Sequence, residues 1–279
     1  MKFLIVGTVR NVEKTLRNET FGMQNLFSKF GETHFYLVES DSNDSTISLL
    51  HDLKSEIENF TFSTLGKLDS RIPNRVNRIR HCRNNYVNFI RESDLNYDFV
   101  VVCDWDGINK VIKPKGLRKI FQDVSAWSMC SANQTFGYYD IYALRAKAWV
   151  ESDFITELSD FKKKHGPLTF WQEDRARREL IYKKMRPLRK FGDWIEVDSA
   201  FGGMAIYKAH VFQEFDYGDE ISIEELECEH ITLHRKMIDA GMKIFVCPEF
   251  INSHINTYNL NKLTLVRLLR YWKKKARAL

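Results

Sequence analysis

Two carboxylates one residue apart, Asp104 and Asp106, follow directly on the run Phe99-Val100-Val101-Val102-Cys103 in this chain of 279 residues, and Gly107 comes next. A continuous apolar run rich in valine reads as a strand buried on both faces of a parallel sheet. Such sheets bind ligands beyond the carboxyl ends of their strands, so the pair stands where a site would be. Their hard oxygen atoms suit Mg²⁺ or Mn²⁺, ions that commonly bridge a protein carboxylate to substrate phosphates. The plain alternative is a solvated turn, because Asp and Gly are ordinary turn formers.

The elements around the pair decide how much weight it bears. Phe3 to Val6 reads as a first strand, leaving through Gly7-Thr8-Val9-Arg10-Asn11 into a helix on which Val12, Leu16, Met23, Leu26, Phe27 and Phe30 keep largely to three- and four-residue spacing. Gly31 closes it. His34 to Val38 is a second strand, and the polar loop from Glu39 to Thr46 ends in good N-cap residues for a helix with Ile47, Leu50 and Leu53. A short strand at Phe60 to Leu65, a long helix from about Pro73 and the strand ending at Cys103 complete a β-α-β-α order. The first hundred residues thus read as the nucleotide-binding half of a doubly wound sheet.

On the long helix, Val76, Ile79, Tyr86, Val87 and Ile90 fall in one stripe roughly 100° wide, and Arg83 sits in the middle of it. A guanidinium on an apolar face must pair with a core carboxylate or reach a ligand at the sheet edge, since burying it alone is prohibitive. Both readings stand at this point. Arg71, Arg75 and Arg78 cluster on another face and read as solvated, with a phosphate funnel as the alternative. Beyond Gly107, strands are expected at Trp127 to Ala132, Tyr138 to Leu144, Ile195 to Asp198, Met204 to Tyr207 and Lys243 to Val246. Ala148 to Lys190 reads as a charged, mainly helical excursion, and a helix begins near Glu229 and ends at Gly241.

Composition narrows the class. Hydrophobic residues make up 44% of the chain and aromatics 13%, ample for a large core, while five prolines and thirteen glycines are too few for a disordered or fibrous chain. One large α/β domain over 1–262, split into halves at 1–107 and 108–262, is the expected organisation, followed by a basic segment at 263–279. The five cysteines are odd in number and contain no C-x-x-C pair, which argues against a disulfide framework or a thiolate zinc site and for a reducing, cytoplasmic setting. The apolar start is too short for a signal peptide, and no run is long enough for a membrane span. Leu263 to Leu279 carries Arg267, Arg270, Lys273, Lys274, Lys275 and Arg277 beside Leu265, Val266, Leu268, Leu269 and Trp272. It is either an amphipathic helix lying on an anionic membrane surface, which would make the protein peripheral at the inner face, or a core-packed helix with a solvated tail.

Four features in order carry a resemblance: a nucleotide-type first half, Asp104-x-Asp106, Phe201-Gly202-Gly203-Met204, and Cys228-Glu229-His230 followed by His254. Together they resemble the GT-A fold glycosyltransferases, which implies a Rossmann-like nucleotide-binding half fused to an acceptor-binding half around one mixed, mainly parallel sheet. Within that fold, Arg10-Asn11-Val12-Glu13, Glu39-Ser40-x-Ser42-x-Asp44-Ser45, Arg83-Asn84 and Tyr139-Asp140-x-x-Ala143-Leu144-Arg145 look like the capsule-associated α-1,3-mannosyltransferase family. The resemblance spans about residues 3 to 255.

It implies roles residue by residue. Asp106 would ligate Mn²⁺ or Mg²⁺ directly, Asp104 would hold the ribose or metal-bound water, and His254 would complete the coordination. Gly7, Thr8, Arg10 and Glu39, in the loops after the first two strands, would hold base and ribose; Arg83, Asn84, Gly202 and Gly203 would complete the nucleotide-sugar site. Glu229, His230 and Asp140 are the catalytic candidates. Inverting enzymes usually place an Asp base where His230 stands, and histidine can serve as a base near neutral pH. The family resemblance instead implies retention, with the leaving phosphate taking the acceptor proton. The donor would be GDP-mannose or a UDP-hexose, and the acceptor a glycan or lipid-linked glycan. A sugar nucleotidyltransferase is the nearest enzymatic rival, but Gly7-Thr8-Val9-Arg10 is too poor in glycine and lysine to hold a triphosphate. A basic module binding membrane or nucleic acid is the non-enzymatic rival; a net charge of +5 and the lack of any nucleic-acid motif speak against nucleic acid.

Overall fold

The computed structural model describes residues 1–188, 192–222 and 227–276. The chain builds β1 (Lys2–Val9), α1 (Leu16–Phe27), β2 (Glu32–Glu39), α2 (Thr46–Glu56), β3 (Phe60–Thr64), α3 (Arg75–Glu92) and β4 (Phe99–Cys103) in the alternation expected of the first half. Then follow α4 (Pro114–Gln122), β5 (Met129–Gln134), α5 (Phe154–His165), α6 (Phe170–Arg177) with a π-helical turn at Arg178–Tyr182, β6 (Ile195–Val197) and β7 (Met204–Lys208). α7 (His210–Glu214), α8 (Glu229–Asp239), β8 (Ile244–Ser253), α9 (Thr257–Leu260) and α10 (Thr264–Ala276) complete the described residues.

One eight-stranded mixed sheet has the order β3-β2-β1-β4-β7-β5-β8-β6. β1 pairs in parallel with β2 and β4, β7 runs antiparallel between β4 and β5, and β6 is antiparallel on the edge beside β8. The order reverses at β1 and β4, which opens the crevice beyond their carboxyl ends. Alternation along each strand supplies a core on either face. Leu4, Val6, Val100 and Val102 join α3 and α8 on one side, whereas Phe3, Ile5, Phe99 and Val101 join α1, α2 and α4 on the other. Near-continuous burial of β1 and β4 is therefore a consequence of their central place, and it is what made them legible.

Two expectations need correction. Tyr138 to Leu144 is not a strand but a turn-rich loop, and the isolated bridge to Ser199 begins just past it at Arg145. Its side chains are buried by packing, Tyr138 and Leu144 at 0% exposure, without any strand pairing of their backbone. β8 is longer than expected, since the run past Pro248 stays in the sheet to Ser253 through register irregularities against β5. The mainly helical excursion, the strands near 195 and 204, and the helix at Glu229 are present as expected. All five cysteines are free and buried.

Candidate active site

Asp104 follows β4 at the switch point, where a buried polar clamp fixes its backbone. Its N–H donates to the Gly203 carbonyl at 2.9 Å, and its own carbonyl accepts from Asn109 Nδ2 at 2.7 Å. Asn252, at 0% exposure, donates to Asn109 Oδ1 (2.8 Å) and the Gly202 carbonyl (2.9 Å) and accepts from Gln134 Nε2 (2.8 Å). On the far side Glu19 accepts the N–H groups of Gly107 (3.1 Å) and Asn109 (3.3 Å); burial pushes its carboxyl up to about 7 against those two bonds. Such a network, fully satisfied, fixes one geometry.

The Gly202-Gly203 turn sits inside this clamp with φ of +68° and +82°. A Cβ on Gly203 would lie 2.9 Å from both Tyr139 Oη and Ile108 Cγ2, so both the backbone and the space require glycine there. Asp140 joins the same turn, accepting the N–H of Gly202 (3.0 Å) and of Ala143 (3.3 Å); burial pushes its pKa up to about 6 in spite of these bonds.

Arg83 links the Asp104 loop to the start of α8. It is 3% exposed, its Nε donates to Glu229 Oε1 at 2.9 Å, its Nη2 lies 3.8 Å from Asp104 Oδ1, and its guanidinium stands over the rings of Phe201 (5.1 Å) and Tyr217 (5.6 Å). Arg83 thus pairs with a buried carboxylate, as one of its two readings has it, and it does so at the sheet edge. Asp104 opens a third of its side chain to the crevice, yet burial pushes its carboxyl up to about 8, opposed by Arg83 and reinforced by Asp106, Asp140 and Glu229.

Two cavities meet at these residues. The first, about 240 Å³, is lined by Thr8, Arg10, Asp41, Arg75, Arg78, Arg83, Asp104 and Asp106 among others. The second, about 490 Å³, shares Arg75, Arg83, Asp104 and Tyr258 with it and adds Asp140, Tyr142 and Glu229. Arg75, which is exposed, and Arg78, which is half-buried with Nη1 on the Ile72 and Pro73 carbonyls, also line the first cavity. Asp41 was missed: at φ +59° and 3% exposed, it overcomes its burial by accepting the N–H groups of Asp69 and Leu68, which hold its pKa below the usual value.

Several expected residues are placed elsewhere. Gly7 lies inside β1, which extends to Val9, and its bare Cα makes room for Trp105, whose Nε1 would be 2.2 Å from a Cβ. Glu39 is 1% exposed and spends its carboxylate on the Ser42 N–H (2.9 Å) and the Thr64 hydroxyl, tying down its own loop. Asn84 faces the 217–218 turn, accepting from Tyr217 N (3.0 Å) and donating to the Gly218 carbonyl (2.8 Å). His254 bonds Thr135 Oγ1 through Nδ1 at 2.9 Å and shares only a separate cavity, about 390 Å³, with Asp106. Among the described residues no three His, Cys, Asp or Glu side chains gather as a metal site. The donor set that fits a divalent ion is therefore Asp104 with Asp106, hard oxygens crowded by further carboxylates and open to phosphate and water on the remaining positions.

His230 lines the second cavity but is almost wholly covered. It is 1% exposed, stacks on Phe201 at 4.0 Å, and neither ring nitrogen has a hydrogen-bond partner, Nε2 standing 3.8 Å from Glu229 Oε1. Burial, then Arg83 and His234, pushes its pKa well below the usual value. The ring thus borders the second cavity while both nitrogens are covered, an arrangement that does not favour its reading as a base. His234 beneath it bonds Ser199 Oγ and Tyr207 Oη, each at 2.8 Å, and burial, then Arg83, pushes its pKa down to about 3. Unfolding raises that value toward the ordinary one, so the unfolded chain binds the extra proton and this contribution to stability shrinks as pH falls below about 6.5. Relative to His234→Gln, the chain is expected to lose up to about 1.4 kcal/mol per pH unit between about 6.5 and the folded value of about 3. Urea unfolding of both proteins at several pH values measures it, and a constant difference contradicts it.

No family model matches the chain, and no curated protein matches it by sequence. Solved structures do. The mannosyltransferase PcManGT from Pyrobaculum calidifontis, in complex with GDP-Man and Mn²⁺, is similar over 89% of this chain and 55% of its own, with 11% identity and a TM-score of 0.50. S. aureus TarS in complex with UDP-GlcNAc is similar over 91% of this chain and 58% of its own, with 14% identity and a TM-score of 0.52. This chain spans little more than half the length of those structures. The arrangement of its sheet and helices is the GT-A fold of these glycosyltransferases.

Proposed function

We propose that the chain is a metal-dependent glycosyltransferase that moves a hexose from a nucleoside-diphosphate sugar to a glycan acceptor in surface polysaccharide or glycan synthesis. One observation carries this reading: Arg10, Arg75, Arg78 and Arg83 wall a cavity that also holds Asp104 and Asp106. Cationic walls complement a diphosphate, and the acidic end would hold Mn²⁺ or Mg²⁺, which when bound supplies further stabilisation of the departing diphosphate. Arg83 is held in place by Glu229 and the ring of Phe201, so its charge is preorganised toward the leaving group. The second cavity, joined to the first at Asp104 and Arg83, offers room for the acceptor beside Asp140.

Retention is the favoured stereochemistry. Glu229 is committed to Arg83 and the nitrogens of His230 are enclosed, so neither is free to deprotonate an acceptor. On the family resemblance the leaving phosphate then takes the acceptor proton, with Asp140 in the second cavity placed to orient the acceptor. Mannose from GDP-mannose is the leading donor, on the resemblance to the capsule-associated mannosyltransferases; the arginine walls suit a UDP-hexose equally.

Incubation with Mn²⁺ and a panel of nucleotide sugars tests the reading. Slow release of nucleoside diphosphate from one donor is the expected result. Pyrophosphate release from a nucleoside triphosphate and sugar phosphate would mark a nucleotidyltransferase, and no turnover would leave a binding module. NMR of the glycosidic product decides the stereochemistry, since a β product from an α donor removes retention.

A further inference from the structure

We propose that α10, with the α9 turn and Trp171 beside it, is a docking surface for an anionic lipid bilayer. The helix is mounted the reverse way to an ordinary amphipathic helix. Arg267, only 8% exposed, faces the body of the protein, where it pairs with Asp174 of α6 and stands 4.6 Å over the ring of Tyr182. Tyr271 lies against Phe170 on the same side at 4.9 Å. Counting about 100° per residue, Leu265, Leu269 and Trp272 fall in one stripe on the opposite face. They are 67%, 62% and 59% exposed. A helix that only covered the core would turn these three inward and Arg267 outward.

Charge identifies what covers the stripe. Lys273 is exposed on its flank, Arg270 is exposed farther round the helix where it bonds Asn261, Lys274 and Lys275 follow in the sequence, and no Asp or Glu occurs from Thr264 to Ala276. Leucines, a tryptophan and flanking cations on one helix match the interface of a bilayer with anionic headgroups. No helix among the described residues is long and apolar enough to cross a membrane, so the fit is to lying on the surface. Further exposed apolar side chains are Leu263 (56%), just before the helix, Trp171 (62%), against Phe170 and so beside Tyr271, and Ile255 (59%), which shares a cavity with Tyr258, a residue that also lines both cavities of the candidate active site. Docking by this face would bring the cavity mouth to headgroup level, where an acceptor carried on a lipid is presented. That last consequence rests on the transferase reading; the membrane contact does not.

Sedimentation of the full chain with phosphatidylglycerol-containing vesicles, and with phosphatidylcholine alone, tests the contact without any donor or metal. Binding to the anionic vesicles is expected, weakening at high ionic strength. Arg270→Glu with Lys273→Glu should lower that affinity at least about tenfold, at the scale of one unit of binding energy for each basic residue near the surface. Leu265→Ser, Leu269→Ser and Trp272→Ser combined should abolish it, while thermal unfolding and donor hydrolysis in solution stay as they were. No sedimentation with anionic vesicles, or sedimentation unchanged by both sets of substitutions, overturns the proposal. A lipid-free dimer by light scattering that the triple variant converts to monomer also overturns it, because the stripe then belongs to a second copy.

Discussion

Asp106→Asn is expected to reduce Mn²⁺-dependent release of nucleoside diphosphate by roughly 100-fold or more, the scale at which loss of one electrostatic partner of a developing charge is felt. The substitution keeps shape and removes only the charge. Asp106 is exposed, and its carboxylate accepts one hydrogen bond, from the N–H of Ile108 at 3.3 Å. An asparagine oxygen can accept the same bond, so stability should move by no more than about 0.5 kcal/mol. Asp104→Asn makes the complementary case. Its charge is disfavoured by burial and by Asp106, Asp140 and Glu229, so neutralising it should leave the fold at least as stable while activity is lost. Calorimetry of Mn²⁺ binding with and without nucleoside diphosphate tests both residues: weaker metal binding is expected from each. Undiminished turnover in Asp106→Asn would refute its part in holding the ion.

What was legible beforehand follows from the kind of signal each residue carries. β1 and β4 are buried on both faces, so their valine-rich runs stand out, and the acidic pair is located by the strand it follows. Arg83 was legible because a charge on an apolar stripe must have a partner, and the partner, Glu229, is 146 residues away. The same logic applies to Glu19, which lies between Leu16 and Met23 on the buried face of α1 and holds the loop of Gly107 and Asn109. That signal was present and unread. Asn252, Asn109 and Gln134 offered none, since an amide beside a strand end has no periodicity, and only the fold brings the three together. Tyr138 to Leu144 misled for a related reason. Its apolar spacing satisfies a strand, but burial there comes from packing around Asp140 and the glycine turn, whose N–H it accepts. Arg75 and Arg78 follow from geometry alone, because the wheel of α3 shows a second face but not that the β2 loop curls round to make it a wall.

Arg83→Ala is expected to damage both stability and activity, and a double substitution tells the two apart. Alanine leaves the Glu229 carboxylate, 5% exposed, with no cation beside it, the Cys228 thiol standing at 3.7 Å and the ring nitrogen of His230, whose protonated form burial disfavours, at 3.8 Å. An unpaired buried charge of that kind costs about 3–5 kcal/mol, or a fall in Tm on the order of 10 °C for a chain of this size. Release of nucleoside diphosphate should fall by roughly 100-fold or more, because the preorganised cation between the two cavities is gone. Lost stability alone could mimic lost activity, so Arg83→Met combined with Glu229→Gln is the decisive protein. Replacing a buried pair by neutral groups of similar volume is often close to neutral for folding. The double variant should therefore regain most of the Tm while kcat/KM stays low and binding of nucleoside diphosphate stays weak. Recovery of activity together with stability would reduce Arg83 to a core ion pair. Failure to recover either would place the rings of Phe201 and Tyr217, which the guanidinium covers at 5.1 and 5.6 Å, ahead of Glu229 as what the arginine supports.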